Sequence, residues 1–260
     1  MSVTKPSDYY QKTAAQYDRW HVQAGDQHSV ALNYLSHLLQ AIGACSMLDV
    51  GTGTGRVIRY ISECLPGMKV VGIEPAAELR EIALKEHGLP KDSVLPGDGL
   101  DIPFPDQSFD VVCEFAVLHH VQKPEKVVSE MLRVARKAVV LSDENRFAYG
   151  PFLERLAKVA LCKIGLFPAF YWLKTRGKGY RYSEEDGVAY SYSVFDALPQ
   201  FSRWADRTIM IPLDRTPLKL GYENNASTLF QPLLTSFHLM MMAVRDVSPI
   251  APDEGKSTKM

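Results

Sequence analysis

Between residues 46 and 143, short apolar runs alternate with stretches whose apolar residues recur every three or four positions. That alternation predicts strands taking turns with helices. Residues 47–50, 69–73, 93–96, 109–114 and 138–142 are the apolar runs. Each is too short for a helix and suits a strand buried on both faces. Residues 54–65, 76–87 and 124–135 carry the helical period; Gly88 offers a stop, and Pro124 sits where a first turn tolerates proline. The pattern predicts an α/β fold, a doubly wound and mostly parallel sheet with helices on both faces. Before it, residues 12–40 read as mainly helical, with a polar break near Gly25 and Asp26. After it, 151–173 is an apolar helical stretch, 174–192 is rich in glycine, charge and tyrosine, and 193–201 suits another helix. Residues 204–213 and 236–245 are strand-like.

One strand-to-helix junction differs from the rest. Leu48 to Arg56 read L-D-V-G-T-G-T-G-R, which sets Gly51, Gly53 and Gly55 at alternate positions after the first strand. Lacking a Cβ, such a stretch can turn sharply and press its main chain against a ligand. Glu74 and Pro75 close the second strand, so a carboxylate stands at the neighbouring tip. A glycine turn after one strand and an acid at the tip of the next is how an open α/β sheet holds an adenosine-like molecule. A dinucleotide fingerprint, G-x-G-x-x-G, needs glycine at position 56, where Arg56 stands. Asp49, two residues before the first glycine, suits a cationic ligand better than a pyrophosphate.

On these residues the chain resembles the class I S-adenosylmethionine-dependent methyltransferases, of the type 11 kind with small-molecule acceptors. In that family an acidic residue precedes G-x-G-x-G and another ends the second strand. Two more stations match: Gly97-Asp98-Gly99 followed by Pro103-Phe104, and Ser108-Phe109-Asp110-Val111-Val112 opening the fourth strand. The resemblance implies a Rossmann-like methyltransferase fold, a seven-stranded sheet closed by an antiparallel pair that 204–213 and 236–245 would supply. It divides the chain into a helical cap over 1–40, a cofactor-binding core over 41–143 and an insertion or lid over 144–192. A helix and two strands over 193–247 then complete the sheet, with a shorter insertion at 214–235 and a disordered tail over 248–260.

The same resemblance implies S-adenosylmethionine as cofactor and S-adenosylhomocysteine as product. Asp49 would meet the ammonium of the methionine tail, with the main chain of Gly51 and Gly53 beside it. Glu74, with Pro75 after it, would take the ribose hydroxyls. Gly97, Asp98 and Gly99 would meet the adenine, while Glu114 and Phe115 would floor the methionine part through backbone atoms. Tyr9 and Tyr17, on a helix closing over the cofactor, would reach the methionine carboxylate or the sulfonium face; plain helix packing is the alternative for both.

Composition narrows the partners. The formal net charge is −1 over 260 residues, with no long basic or acidic run, so nucleic acid is not expected. The four cysteines are scattered without C-x-x-C or zinc spacing, and no metal is expected. Residues 1–17 have no apolar core of the signal-peptide kind, and 159–173 is too short and broken to span a bilayer. A cytoplasmic protein without stable membrane insertion is expected, with a homodimer left open.

Methyl transfer to an oxygen or activated carbon needs a base with a pKa near neutrality. His119 and His120 follow the fourth strand and Asp143 ends the fifth, so these three are the candidate catalytic group. One of the two histidines bracing the loop is the alternative. The aromatic residues between 152 and 195 suit a pocket for a small, largely apolar or aromatic acceptor, with Arg176, Lys178 and Arg181 as candidate anion contacts. An S-adenosylmethionine-binding cyclase or other non-methylating relative, and a non-catalytic binding module, stay open beside the methyltransferase reading.

Overall fold

The computed structural model describes residues 6–21, 25–213 and 233–246. Two helices, α1 (Pro6–His21) and α2 (Gln27–Ala41), lead into strand β1 (Ser46–Val50). Then α3 (Arg56–Cys64), β2 (Lys69–Glu74), α4 (Ala77–Lys85), β3 (Val94–Pro96), β4 (Phe109–Phe115), α5 (Pro124–Val134) and β5 (Ala135–Glu144) follow in strict alternation, save where β4 succeeds β3 directly. Beyond β5 come α6 (Phe152–Lys163), α7 (Phe167–Lys174), a hairpin of β6 (Tyr180–Ser183) and β7 (Gly187–Tyr190), and α8 (Leu198–Trp204). Strands β8 (Arg207–Pro212) and β9 (His238–Val244) end the described fold.

Seven strands form one sheet in the order β3-β2-β1-β4-β5-β9-β8, with β1 to β5 parallel and β9 antiparallel to both its neighbours. The strand order reverses between β1 and β4, which opens a crevice at their carboxyl ends, where ligands sit in open α/β sheets. Consecutive residues supply opposite faces. Leu48, Val112, Val139 and Met241 pack under α5 and α8, while Met47, Val111, Val140 and Met240 pack against α2 and α3. Most of these side chains are fully buried. Each leucine- or isoleucine-sized side chain buried this way contributes about 1.5–3 kcal/mol, so strand register is fixed from both faces.

The expected antiparallel pair forms, from β8 and β9. The expected single helix over 151–173 is two helices, because Gly165 takes a left-handed φ of +74° and Pro168 starts the next first turn. The glycine- and tyrosine-rich segment after it pairs into a hairpin. Most of the 214–235 segment and the 248–260 tail lie outside the described residues. No helix among the described residues is long and apolar enough to cross a membrane.

Candidate functional site

The glycine turn is built by main-chain hydrogen bonds. The N–H groups of Gly51 and Thr52 both donate to the Ile73 carbonyl, at 2.8 and 3.0 Å, so β1 cannot continue. Gly51 and Gly53 hold φ of +72° and +55°. A Cβ on Gly51 would stand 2.6 Å from a Val117 methyl, so nothing larger than hydrogen fits between the turn and the loop after β4. Glu74 ties the turn to its own strand end: one carboxylate oxygen accepts the Gly53 N–H at 3.0 Å, the other the Ala76 N–H at 2.8 Å. Burial pushes the Glu74 carboxyl up to about 7, against these donors.

Asp49 is 1% exposed and faces the crevice. Its Oδ1 accepts the Cys113 thiol at 3.6 Å; its Oδ2 has no well-formed hydrogen bond among the described residues, the Thr52 hydroxyl beside it lowering the pKa without closing one. Burial pushes the Asp49 carboxyl up to about 6. An orphaned buried acceptor is expensive and marks a place for a donor.

A cleft of about 730 Å³ opens over this turn, with Asp49, Gly51 and Thr52 on one wall and Phe115, His120 and Asp186 on another. Helix α1 closes part of it. The Tyr17 hydroxyl lies 3.2 Å from where a Cβ on Gly53 would be, so its ring covers the turn beside Glu74. Asp18 latches the helix down: its two oxygens accept the Thr54 hydroxyl at 2.6 Å and face His87 Nε2 at 2.8 Å. Tyr9, one wall of the cleft, donates its hydroxyl to the Glu184 carbonyl of the hairpin at 3.0 Å. Arg56, whose presence broke the dinucleotide pattern, makes a two-pronged pair with Asp26 at 2.8 and 2.6 Å.

At the acceptor side, the short helical turn Leu118–His120 is stapled to β5. Asp143 accepts the Leu118 N–H at 2.8 Å and pairs with His119 Nδ1 at 2.7 Å. Burial opposes a charged His119 ring, yet Asp143 on one side and Asp186 on the other raise its pKa well above the ordinary histidine value. Burial alone would raise Asp143 too, but His119 and the neighbouring N–H groups hold it below its usual value. His119 is 4% exposed and braced on both nitrogens, with Asp186 3.8 Å from its Nε2. His120 is the imidazole that lines the cleft. Its Nδ1 bonds the Val188 carbonyl at 2.8 Å, and its Nε2 stands 3.3 Å from Asp186. His119, His120 and Asp186 each offer one ligand atom within 4.8 Å of the others, the arrangement among the described residues that could hold a metal ion.

The structure thus brings Tyr9, Tyr17, Asp49, Gly51, Phe115 and His120 onto one cleft. Gly53 and Glu74 lie at its floor beneath Tyr17. Pro75, Gly97, Asp98 and Gly99 stand at the ends of β2 and β3 and do not line it. Asp98 turns to accept the Leu100 N–H at 2.9 Å. The Glu114 side chain stays out of the cleft, which leaves only the expected backbone role: it is fully buried, its two oxygens accepting the Val117 N–H at 3.0 Å and the Ser142 N–H at 3.1 Å in the gap between β4 and β5. Those donors draw its side chain into the sheet and away from the crevice. Of the three cations expected to contact an anion, Arg176 and Lys178 are exposed on the loop before the hairpin. Asp186 had no signal in the sequence, since only the hairpin carries it across to the histidines.

Residues 48–142 match the family profile described as Methyltransferase domain. Over this stretch the chain is similar to class I methyltransferase domains. Ajmaline N-methyltransferase of Rauvolfia serpentina is 35% identical over 39% of this chain and 37% of its own length. Phosphatidylethanolamine N-methyltransferase of Cereibacter sphaeroides is 36% identical over 39% of this chain and 51% of its own length. The chain therefore spans about a third to a half of the length of these relatives. The methyltransferase fold extends further than the sequence match. Magnesium protoporphyrin IX methyltransferase from Synechocystis PCC 6803, solved with bound S-adenosylhomocysteine, superposes with a TM-score of 0.54 at 17% identity, over 92% of this chain and 97% of that one. A possible histamine N-methyltransferase from Thermotoga maritima superposes with a TM-score of 0.53 at 17% identity, over 92% and 99%.

Proposed function

We propose that this chain transfers a methyl group from S-adenosylmethionine to a small, largely apolar or aromatic molecule seated between the glycine turn and the hairpin. The observation that carries the reading is the orphaned Asp49 oxygen facing a main-chain cradle that admits no side chain at Gly51. Both features fit the donor. The Asp49 oxygen suits the ammonium of the methionine tail, and the lone pairs that Glu74 keeps suit sugar hydroxyls. Bound there, the donor supplies a methyl group on a sulfonium sulfur.

The rest of the work falls to the chain's own groups. Tyr17 and α1 exclude water above the turn, and Phe115 offers an aromatic wall beside Asp49. Holding nucleophile and methyl in line can supply roughly 7–11 kcal/mol of the barrier. His120, facing the cleft, takes the acceptor's proton on Nε2, and Asp186 beside it stabilises the imidazolium that results. His119 stays charged between Asp143 and Asp186 and positions His120 rather than acting as the base. This assignment needs no metal, because the charged His119 turns a proton toward Asp186 and leaves His120 Nε2 free to take one.

The test is an assay with methyl-labelled donor against a panel of phenols, quinones, carboxylic acids and phosphate esters. Labelled product together with S-adenosylhomocysteine supports the reading. Bound donor with no labelled product across the panel, and a His120→Gln variant indistinguishable from the parent, would overturn it.

A further inference from the structure

A second cavity, of about 600 Å³, lies among the helices and the hairpin that follow β5. Its wall carries four cations, Arg146, Lys158, Lys174 and Arg181, against two carboxylates, Glu144 and Glu154. Neighbouring cations already occupy both acids. Glu154 pairs with Lys158 at 3.2 Å and with Lys174, and Glu144 lies 3.8 Å from Arg181. What remains is a set of donors. Arg146 Nε and the hydroxyls of Tyr171 and Tyr192 are buried, and none has a hydrogen-bond partner among the described residues. All three residues line this one cavity, and Tyr192 is 2% exposed. Both phenols lie close enough to Arg146 to feel its charge.

Leaving a buried donor unsatisfied costs about 1–3 kcal/mol, more when the group is charged. Arg146 already pairs through one Nη with Asp196, but its Nε and the two hydroxyls still call for a group rich in acceptors, and arginine matches carboxylate and phosphate oxygens best. The surroundings suit a flat apolar body: the Phe167 and Tyr171 rings stack at 5.9 Å with 16° between their planes, and Phe170 lies beside them. The cavity also backs onto the catalytic group. Tyr149 and Tyr192 on its wall both feel the Asp143 charge. The hairpin stands between the two spaces, giving Val188 to His120 on one side and Arg181 to the cavity on the other.

We propose that this cavity is a binding subsite for a carboxylate or phosphate carried on the acceptor's apolar body, with Arg146, Tyr171 and Tyr192 as its ligands. That the anion belongs to the acceptor rests on the methyltransferase reading; that an anion binds does not. The test titrates phenyl phosphate and benzoate into the full chain by calorimetry, with S-adenosylhomocysteine as a separate titrant. Saturable binding of either anion, weakened about tenfold or more in Arg146→Gln and severalfold in Tyr171→Phe, is expected. Tyr171→Phe removes one oxygen and keeps the ring, so it tests the site even where Arg146→Gln does not fold. The S-adenosylhomocysteine titration stays unchanged in both variants. The stronger anion names the class: phenyl phosphate a phosphate ester, benzoate a carboxylic acid. Anion binding without S-adenosylhomocysteine binding would sink the methyltransferase reading and leave the subsite standing. No anion binding to the parent, or equal binding by Tyr171→Phe, would overturn the subsite.

Discussion

Replacing Asp49 by asparagine should move stability and cofactor binding in opposite directions. The Asp49 carboxyl is fully buried and titrates at about 6, well above its ordinary value of 3.8, because burial disfavours the charge. A raised folded-state pKa means that the native chain holds a proton that the unfolded chain has already lost. Stability therefore falls as pH rises through the window from 3.8 to 6, and the full penalty is present above it. At about 1.4 kcal/mol per pH unit, that gap amounts to about 3 kcal/mol at pH 8 and about half of it at pH 5. Asparagine has nearly the same shape and carries no charge, so Asp49→Asn should stabilise the ligand-free protein at pH 8 by up to about 3 kcal/mol, less the amide's own burial cost, and by less at pH 5. The same change removes the carboxylate offered to an ammonium, and a lost charge-assisted bond of about 1.5–3 kcal/mol weakens S-adenosylhomocysteine binding about tenfold or more. Urea unfolding at the two pH values, paired with calorimetry, reads both effects. A variant less stable at pH 8 and binding as tightly as the parent would refute the reasoning.

Four further outcomes follow from the same geometry. Gly51→Ala forces a side chain into a left-handed φ of +72° and to within 2.6 Å of Val117, a loss of about 2–4 kcal/mol in thermal unfolding that Val117→Ala relieves in part. Asp143→Asn strips the counter-charge from the buried His119 imidazolium and should cost about 3–5 kcal/mol. His120→Gln should leave the unfolding midpoint in place while turnover drops about 10²-fold or more; a midpoint shift larger in His120→Gln than in Asp143→Asn would reverse the roles of the two histidines. Asp18→Ala cuts both the Thr54 and the His87 bonds of the α1 latch, so α1 amides should exchange with solvent faster by about 1–2 kcal/mol of opening free energy while β5 amides do not change.

The parts of the site that were legible in the sequence are local ones. Gly51, Gly53 and Glu74 betray themselves because a tight turn after one strand and an acid at the tip of the next are set by residues a few positions apart. The five parallel strands were legible for a similar reason, since runs such as Val111 to Cys113 are buried on both faces and carry no alternation. What stayed hidden depends on distant chain. Asp186 reaches His120 only because β6 and β7 pair into a hairpin, and that pairing rests on tyrosines and glycines whose local pattern is equally that of a loop. The inward turn of the Glu114 side chain was hidden too, because its sequence position says nothing of the two N–H groups that hold it. Arg146 and Lys158 were missed as well. Their burial depends on α6 folding back over the end of β5, and Lys158 looks like any helix-surface lysine until the Tyr149 carbonyl is found 2.8 Å from its ammonium.

The central claim is that the turn at Gly51 to Gly55, with Asp49 beneath it and Glu74 beside it, holds a sulfonium nucleoside. Calorimetric titration of folded protein with S-adenosylhomocysteine tests this most directly. A saturable one-to-one heat, much reduced in Glu74→Ala, is the predicted result; a flat trace from protein shown to be folded would contradict it.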